Sequence, residues 1–249
     1  MTFSDDEIER YARHLVLAEL GGPGQQRLKA ARVGLIGLGG VGAPAALYLA
    51  AAGVGILRLI DDDTVALSNL QRQILFTGAD TGRPKVEAGA AALDALNPHV
   101  RIEPVAERLT GANAATLIAG CDLVLDGTDD FATRFAVNTA CVTAGIPLVS
   151  GALGRWSGQV AVFEGRPCYQ CLVPGIPPEA ETCARAGVVG ALAGVVGAMA
   201  ALETIKQITG AGTPLSGRLL LYDGLAGTAR TVTLPADPAC PVCGGTDRP

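Results

Sequence analysis

The segment VGLIGLGGVG at residues 33–42 most strongly constrains what this chain can fold into. Its first four residues predict a buried parallel strand, and Gly37, Gly39 and Gly42 follow with the spacing G-x-G-x-x-G before an alanine-rich helical stretch. Glycines at this spacing allow a tight turn, a close approach to a phosphate and close packing of the helix, whose free N–H groups attract an anion. The segment therefore predicts a nucleotide-binding unit, for which NAD is the default ligand.

The rest of the chain alternates apolar strand runs with alanine-rich helical runs. With 249 residues, 49% of them hydrophobic, it is long enough for a sizeable core. The alternation predicts one α/β domain with a Rossmann-like, mostly parallel sheet that continues into antiparallel strands. Within it we distinguish N-terminal helices (1–30), a nucleotide-binding core (31–150) and a C-terminal part (151–249).

At the N-terminus, Ser4 and Glu7 have the spacing of a capping box. This pair predicts a helix that runs toward Leu20, where we expect the sequence GGPG to break it. The same segment is acidic where a signal peptide needs a basic start and an apolar run, so we expect a cytoplasmic protein.

Charge and hydropathy exclude two classes of partner. The net charge of -5 and the pI near 5.1 argue against binding to nucleic acid or to an anionic membrane surface. Two uncharged stretches, 43–57 and 187–202, are shorter than the roughly 20 residues of a membrane span and are rich in Gly and Ala. We interpret both as tightly packed core helices.

Polar residues after the glycine segment suit ATP better than NAD. Asp61 ends the second predicted strand, where its carboxylate could accept hydrogen bonds from both ribose hydroxyls. Asn69 and Arg72 lie three apart in SNLQRQ, and Lys85 starts the next predicted helix. Such charges are often only solvated surface groups. Two cations and an amide that converge near the glycines nevertheless favour a triphosphate over a diphosphate.

A further acidic segment, LVLDGTDDF, ends the next predicted parallel strand at the edge of the sheet where ligands bind. Asp126 or Asp129 could hold Mg²⁺ against phosphate oxygens. The alternative is that these acids cap the following helix, which fits Asp130 best and Asp126 in part.

Four of the seven cysteines form two C-x-x-C pairs among Gly and Pro: Cys168 with Cys171, and Cys240 with Cys243. Two such pairs can supply four thiolates to one tetrahedral Zn²⁺. The alternatives are four separate thiols or a redox pair. Cys183 belongs to neither pair and lies in a polar segment.

Taken together, the segments GLGGVG, DDDTVALSNLQRQ, TGRPKVEA, DGTDD, ETCARAGVVG and CPVCGG resemble, in this order, those of the MoeB/ThiF/HesA family, bacterial relatives of ubiquitin-activating enzymes. The resemblance covers nearly the whole chain. It implies that ATP adenylates the C-terminal glycine of a small ubiquitin-fold sulfur-carrier protein ending in Gly-Gly. This reaction activates the C-terminus of the carrier for conversion to a thiocarboxylate in molybdopterin or thiamine biosynthesis.

The resemblance also implies roles for individual residues. Gly40 would contact phosphate, Asp61 the ribose, and Asp129 the Mg²⁺ ion. The triphosphate would be held by Asn69, Arg72 and Lys85. Because Asp62 and Asp130 differ from many family members, the choice of metal acid among Asp126, Asp129 and Asp130 stays open.

Two further roles follow from the resemblance. Arg13 would reach the ATP of the other subunit of a homodimer, and Cys183 would attack the carrier adenylate or form a persulfide link with it. The rhodanese domain that some relatives carry is not expected, so the sulfur donor would be a separate protein. Two alternative functions are an NAD-dependent oxidoreductase and a non-catalytic scaffold that binds a ubiquitin-like protein.

Overall fold

The computed structural model describes residues 2–176 and 187–245, which contain one sheet of eight strands in the order β3-β2-β1-β4-β5-β6-β7-β8. The strands are β1 (Arg32–Ile36), β2 (Ile56–Ile60), β3 (Arg101–Val105), β4 (Leu123–Asp126), β5 (Leu148–Gly154), β6 (Ser157–Phe163), β7 (Arg218–Asp223) and β8 (Thr228–Thr233). Strands β1 to β5 pair in parallel, and β6, β7 and β8 are added antiparallel. The predicted fold class is confirmed.

Nine helices are described in these two ranges, besides short 3₁₀ turns at Leu67–Asn69 and Gly78–Asp80. They are α1 (Asp5–Arg10), α2 (Ala12–Leu15), α3 (Gly21–Ala30), α4 (Gly42–Ala51), α5 (Lys85–Leu96), α6 (Ala114–Leu117), α7 (Phe131–Ala144), α8 (Tyr169–Leu172) and α9 (Gly190–Thr209).

The central strands β1 and β4 are buried on both faces, as their near-continuous apolar sequences require. Successive strand residues point to opposite faces, so Leu35 belongs to one core cluster and Ile36 to the other. The first cluster also contains residues of α3, α4, α5 and α9, and the second contains residues of α6, α7 and α8. The ligand-binding edge of the sheet thus rests on a core packed from both sides.

The N-terminal helix differs from its prediction. The capping box is present, since Ser4 N donates to Glu7 Oε2 at 2.9 Å and Glu7 N donates to Ser4 Oγ at 3.3 Å. However, α1 ends at Arg10, and GGPG forms the first turn of α3 instead of ending a helix. Pro23 is tolerated there because the N–H groups of a first helical turn have no partner within the helix.

Helix α9 is long and apolar enough, by length and composition, to cross a membrane. In this structure it packs against α4, β5 and β6, with Val196 and Ala200 fully buried. Core helices of soluble proteins pass the same test of length and composition, and this packing supports the interpretation of α9 as a core helix.

Candidate active site

A cleft of about 610 Å³ lies at the carboxyl edge of the parallel strands, within the usual size range of ligand pockets. The loops that follow β1, β2 and β4 line it. Strand β1 lies between β2 and β4, so the order of the strands reverses at this point. A reversal of this kind opens a crevice where doubly wound sheets bind ligands.

The glycine turn between β1 and α4 forms one wall of the cleft. Gly37 has φ +81°, a conformation that favours glycine, and its N–H donates to Ile60 O at 2.9 Å. Gly39 and Gly40 also line the cleft, as expected for residues that approach a phosphate. The turn leads directly into the N-terminus of α4, whose free N–H groups favour an anion.

Gly42 does not line the cleft, so the structure gives no support to its predicted contact with the nucleotide. A Cβ atom at this position would lie 1.8 Å from the carbonyl oxygen of Gly37. Only glycine fits here, because α4 packs so closely against the glycine turn that no space is left for a Cβ atom.

Asp61 faces the cleft and also fixes the loops around it. Its Oδ2 accepts a hydrogen bond from Leu38 N at 2.6 Å, and its Oδ1 accepts one from Asp63 N at 2.9 Å. Each carboxylate oxygen can accept a further hydrogen bond, so these contacts leave capacity for ribose hydroxyls.

Lys85 is the most buried cation on the β2 side of the cleft, with only 6% of its side chain exposed. Its Nζ lies 2.6 Å from Asp63 Oδ2. Partial burial of Asp63 opposes ionisation of its carboxyl, but the hydrogen bond and charge of Lys85 outweigh this and lower its pKa. The ion pair holds the Lys85 ammonium beside Asp63 in the lining of the cleft.

Asn69 and Arg72 also line the cleft. Arg72 Nη1 donates to Ser68 O at 3.0 Å, and Asn69 Oδ1 accepts a hydrogen bond from Ala66 N at 3.2 Å. A third cation, Arg108, was not predicted. It lies 3.6 Å from the Asp130 carboxylate and 3.9 Å from that of Asp62.

The three candidate metal acids have different surroundings. Asp126 is 1% exposed, does not line the cleft and accepts hydrogen bonds from Thr128. Asp130 lines the cleft but caps α7 by accepting a hydrogen bond from Thr133 N at 2.9 Å. Asp129 lines the cleft and is exposed, and no donor within the described ranges bonds to its carboxylate. Asp129 is therefore the acid that is free to bind a cation.

Two buried polar residues of the cleft were missed. Gln73 is 3% exposed, and its Oε1 finds no hydrogen-bond partner among the described residues. Gln73 N donates to Asn69 O at 2.9 Å, so its spacing of four residues from Asn69 is a signal that could have identified it. Arg134 lies in α7 and has no comparable signal, because residues distant in sequence determine its burial.

The four cysteines of the C-x-x-C pairs come together, with all sulfur atoms within 4.8 Å of one another. Cys168 Sγ lies 3.6 Å from Cys240 Sγ, and Cys171 Sγ lies 3.3 Å from Cys243 Sγ. Tetrahedral zinc, with Zn–S bonds of about 2.3 Å, needs sulfur separations of about 3.8 Å. The donor set and its spacing fit Zn²⁺.

The cysteines also differ in acidity. Burial opposes ionisation of Cys240, but the backbone N–H groups of Cys243 and Val242 outweigh it and lower the pKa of this thiol to about 7. Burial and the three neighbouring thiols raise the pKa of Cys243. Four thiols at this separation are better accommodated as thiolates around a cation than as a bare cluster.

Arg13, unlike the other predicted cations, does not line the cleft. Arg13 is exposed on α2. The preceding Tyr11 packs against Gly53, beyond the C-terminal end of α4, whereas the glycine turn is at the N-terminal end. The ten residues of α4 separate these ends by about 15 Å. Cys183 lies outside the described residues.

A second groove, of about 660 Å³, runs along β5 to β8. It shares Ala152, Leu153 and Gln159 with the cleft, so the two are continuous. The groove leads from the antiparallel edge of the sheet to the site beside Asp129.

Comparison with known proteins places this geometry in a family. A model of the ThiF family matches residues 11–242. The chain belongs to the ThiF family, which confirms the resemblance drawn from the sequence motifs.

Two relatives cover almost the whole chain. It is 48% identical over 244 residues to molybdopterin-synthase adenylyltransferase of Escherichia coli, covering 97% of this chain and 98% of that protein. It is 46% identical over 253 residues to sulfur carrier protein adenylyltransferase of Thermus thermophilus, covering 98% and 93%. Among solved structures, E. coli MccB with ATP has a TM-score of 0.75 at 25% identity, covering 89% of this chain and 68% of that one.

Proposed function

We propose that this protein is an adenylyltransferase that uses ATP to activate the C-terminal glycine of a ubiquitin-fold sulfur-carrier protein. One observation carries the proposal: a single cleft combines the glycine turn, the cations Arg72, Lys85 and Arg108, and the free acid Asp129. NAD carries only a diphosphate, so NAD binding would not explain why three cations and a free acid lie together in this cleft. The names of the two relatives, both adenylyltransferases, support the same reaction.

The residues of the cleft suit the charge changes of adenylation. A carboxylate that attacks the α-phosphate meets like-charge repulsion, and the departing pyrophosphate concentrates negative charge. Lys85 and Arg72 would bind the triphosphate, with Asn69 beside them, while the glycine turn would bind phosphate and Asp61 the ribose. Because these groups supply the stabilisation, no protein nucleophile is needed for this step.

Mg²⁺ would neutralise phosphate oxygens and the leaving pyrophosphate. Asp129 fits this ion because its carboxylate faces the cleft and has no donor in the described part of the chain. A cation that needs several oxygen ligands can take one from Asp129 and the others from phosphate and water.

The groove along β5 to β8 suits the extended tail of the carrier. An extended chain spans about 3.3 Å per residue, so a short Gly-Gly tail can follow the groove into the cleft. Glycines fit a narrow passage because they have no side chain. We assign the C-terminal part, 151–249, to carrier binding, within one adenylation domain that spans the chain.

In a homodimer, Arg13 could act at the ATP site of the other subunit. This residue does not line its own cleft, and the N-terminal segment that carries it also exposes three large apolar side chains: Ile8, Val16 and Leu17. Val16 is 78% exposed. An apolar surface of this kind suits a subunit interface through which Arg13 reaches the ATP of the partner.

The four-cysteine cluster would hold one structural Zn²⁺, since four thiolates leave no open position for water. The remaining parts of the proposal rest on family membership. The protein would act in the cytoplasm, in molybdopterin or thiamine biosynthesis, with a separate protein as sulfur donor. Cys183 would take part in the sulfur transfer that follows adenylation.

ATP–pyrophosphate exchange with candidate Gly-Gly carriers tests the function. We expect exchange that requires a carrier and is lost when its terminal glycine is removed. A carrier that co-purifies with the enzyme would identify the pathway. No exchange with any co-purifying carrier would instead favour the non-catalytic scaffold.

A further inference from the structure

We propose that Arg134 is a positioning residue that fixes the direction of the Asp129 carboxylate and so prepares the Mg²⁺ site before ATP binds. This inference rests on the proposed function, because it assigns a task within the same cleft. Arg134 lies in α7, five residues beyond Asp129, and its guanidinium is only 5% exposed.

The contacts of Arg134 join the loop after β4 to strand β5. Nη1 donates to Ser150 Oγ at 3.0 Å, and Nη2 donates to Gly151 O at 2.8 Å, both on β5. Nη2 also donates to the carbonyl oxygen of Thr128. That carbonyl belongs to the peptide bond immediately before Asp129. The hydrogen bond from Arg134 therefore fixes the orientation of the peptide plane that precedes Asp129.

The neighbouring acids complete this arrangement. Asp126 Oδ1 accepts hydrogen bonds from Thr128 N at 2.9 Å and from Thr128 Oγ1 at 2.7 Å. Asp130 Oδ2 accepts hydrogen bonds from Thr133 N at 2.9 Å and Thr133 Oγ1 at 2.7 Å. The residues on both sides of Asp129 are therefore fixed, while its own carboxylate has no partner within residues 2–176 and 187–245. Within the described residues, the place from which that carboxylate reaches into the cleft is therefore set by the Asp129 backbone.

A burial as complete as that of Arg134 needs a specific reason. Arg134 Nη1 lies 3.9 Å from Asp126 Oδ2, which is too far for a hydrogen bond but makes the two side chains a buried ion pair. Asp126 Oδ2 itself has no hydrogen-bond partner among the described groups. The Arg134 charge is further compensated by the carbonyls it donates to and by the ring of Tyr169, 5.8 Å from Cζ. A planar guanidinium can reach three acceptors in different directions, which the single ammonium of lysine cannot reproduce.

Groups that orient a metal ligand commonly change metal affinity or activity by about 10–100-fold when mutated. We therefore expect Arg134→Lys to raise the Mg²⁺ concentration for half-maximal ATP–pyrophosphate exchange by at least about tenfold. The matched control is Arg58→Lys. Arg58 also donates to two carbonyls, Leu117 O and Ala119 O at 2.9 Å, but does not line the cleft.

Calorimetry of ATP binding without a carrier gives a readout independent of turnover. In the wild type, Mg²⁺ should strengthen ATP binding, and this enhancement should be lost in both Arg134→Lys and Asp129→Asn. In the double variant the two losses should not add, because Arg134 acts through Asp129. Ser150→Ala removes one acceptor and should shift the Mg²⁺ requirement less, which provides a test if Arg134→Lys does not fold.

Two results would overturn the proposal. One is an unchanged Mg²⁺ requirement in Arg134→Lys and in Ser150→Ala, relative to Arg58→Lys. The other is full additivity of the Arg134→Lys and Asp129→Asn losses, which would mean that Arg134 acts independently of Asp129. Mg²⁺-dependent ATP binding without any carrier-dependent exchange would instead contradict the proposed function and leave the role of Arg134 supported.

Discussion

Asp129→Asn removes the charge of the proposed Mg²⁺ ligand while keeping its size. Because this side chain is exposed and makes no hydrogen bond within the described residues, the substitution should change the free energy of unfolding by no more than about 0.5 kcal/mol. The substitution should therefore lower the rate of the reaction and leave the stability of the fold nearly unchanged. Loss of a main electrostatic stabiliser lowers rates by about 10²–10³-fold, and 10²-fold corresponds to about 2.7 kcal/mol.

The assay is carrier-dependent ATP–pyrophosphate exchange at saturating Mg²⁺, with the melting temperature measured on the same preparations. Asp62→Asn is the matched control, since it removes another exposed acid of the cleft, one that lies 3.9 Å from Arg108. We expect a loss of at least about 10²-fold for Asp129→Asn and less than about threefold for Asp62→Asn. Near-normal exchange in Asp129→Asn, or equal losses in both variants, would refute the assignment.

Three further outcomes are expected. Metal analysis should find about one Zn²⁺ per chain, and Cys168→Ala should lose it and melt at a lower temperature; fully active protein without zinc would contradict this. Arg13→Ala mixed with Asp129→Asn should recover part of the exchange, since some mixed dimers would contain one intact site, and no recovery after demonstrated subunit exchange would argue that Arg13 acts within its own chain. Cys183→Ser should keep exchange but form less thiocarboxylate in a system with a sulfur donor; an equal yield would show that this thiol is not required.

Local patterns predicted much of the fold. The glycine spacing located the turn after β1, and helix α5 begins at Lys85, as predicted. These elements have strong local signals: special backbone conformations, caps and apolar periodicity. Strand β8 was not identified, because all its residues are exposed and its sequence, TARTVT, has no buried face.

The limits of sequence reasoning are clearest at Arg134. Arg134 lies between Thr133 and Phe135, where an arginine is most often a surface charge, and only the folded positions of β5 and the 127–130 loop bury it. At Gly42 the close packing of the helix that the glycine spacing predicts is present, since a Cβ atom there would lie 1.8 Å from the Gly37 carbonyl oxygen. At Arg134, contacts between segments distant in sequence decide the position.

Direct detection of the acyl-adenylate is the most decisive measurement. The enzyme would be incubated with ATP, Mg²⁺ and a co-purifying carrier, and the carrier's C-terminal peptide would be examined by mass spectrometry after rapid quenching. We predict AMP attached to the terminal glycine, dependent on Lys85 and absent from a carrier that lacks that glycine. A carrier that stays unmodified, while the same preparation binds ATP, would contradict the proposed adenylation.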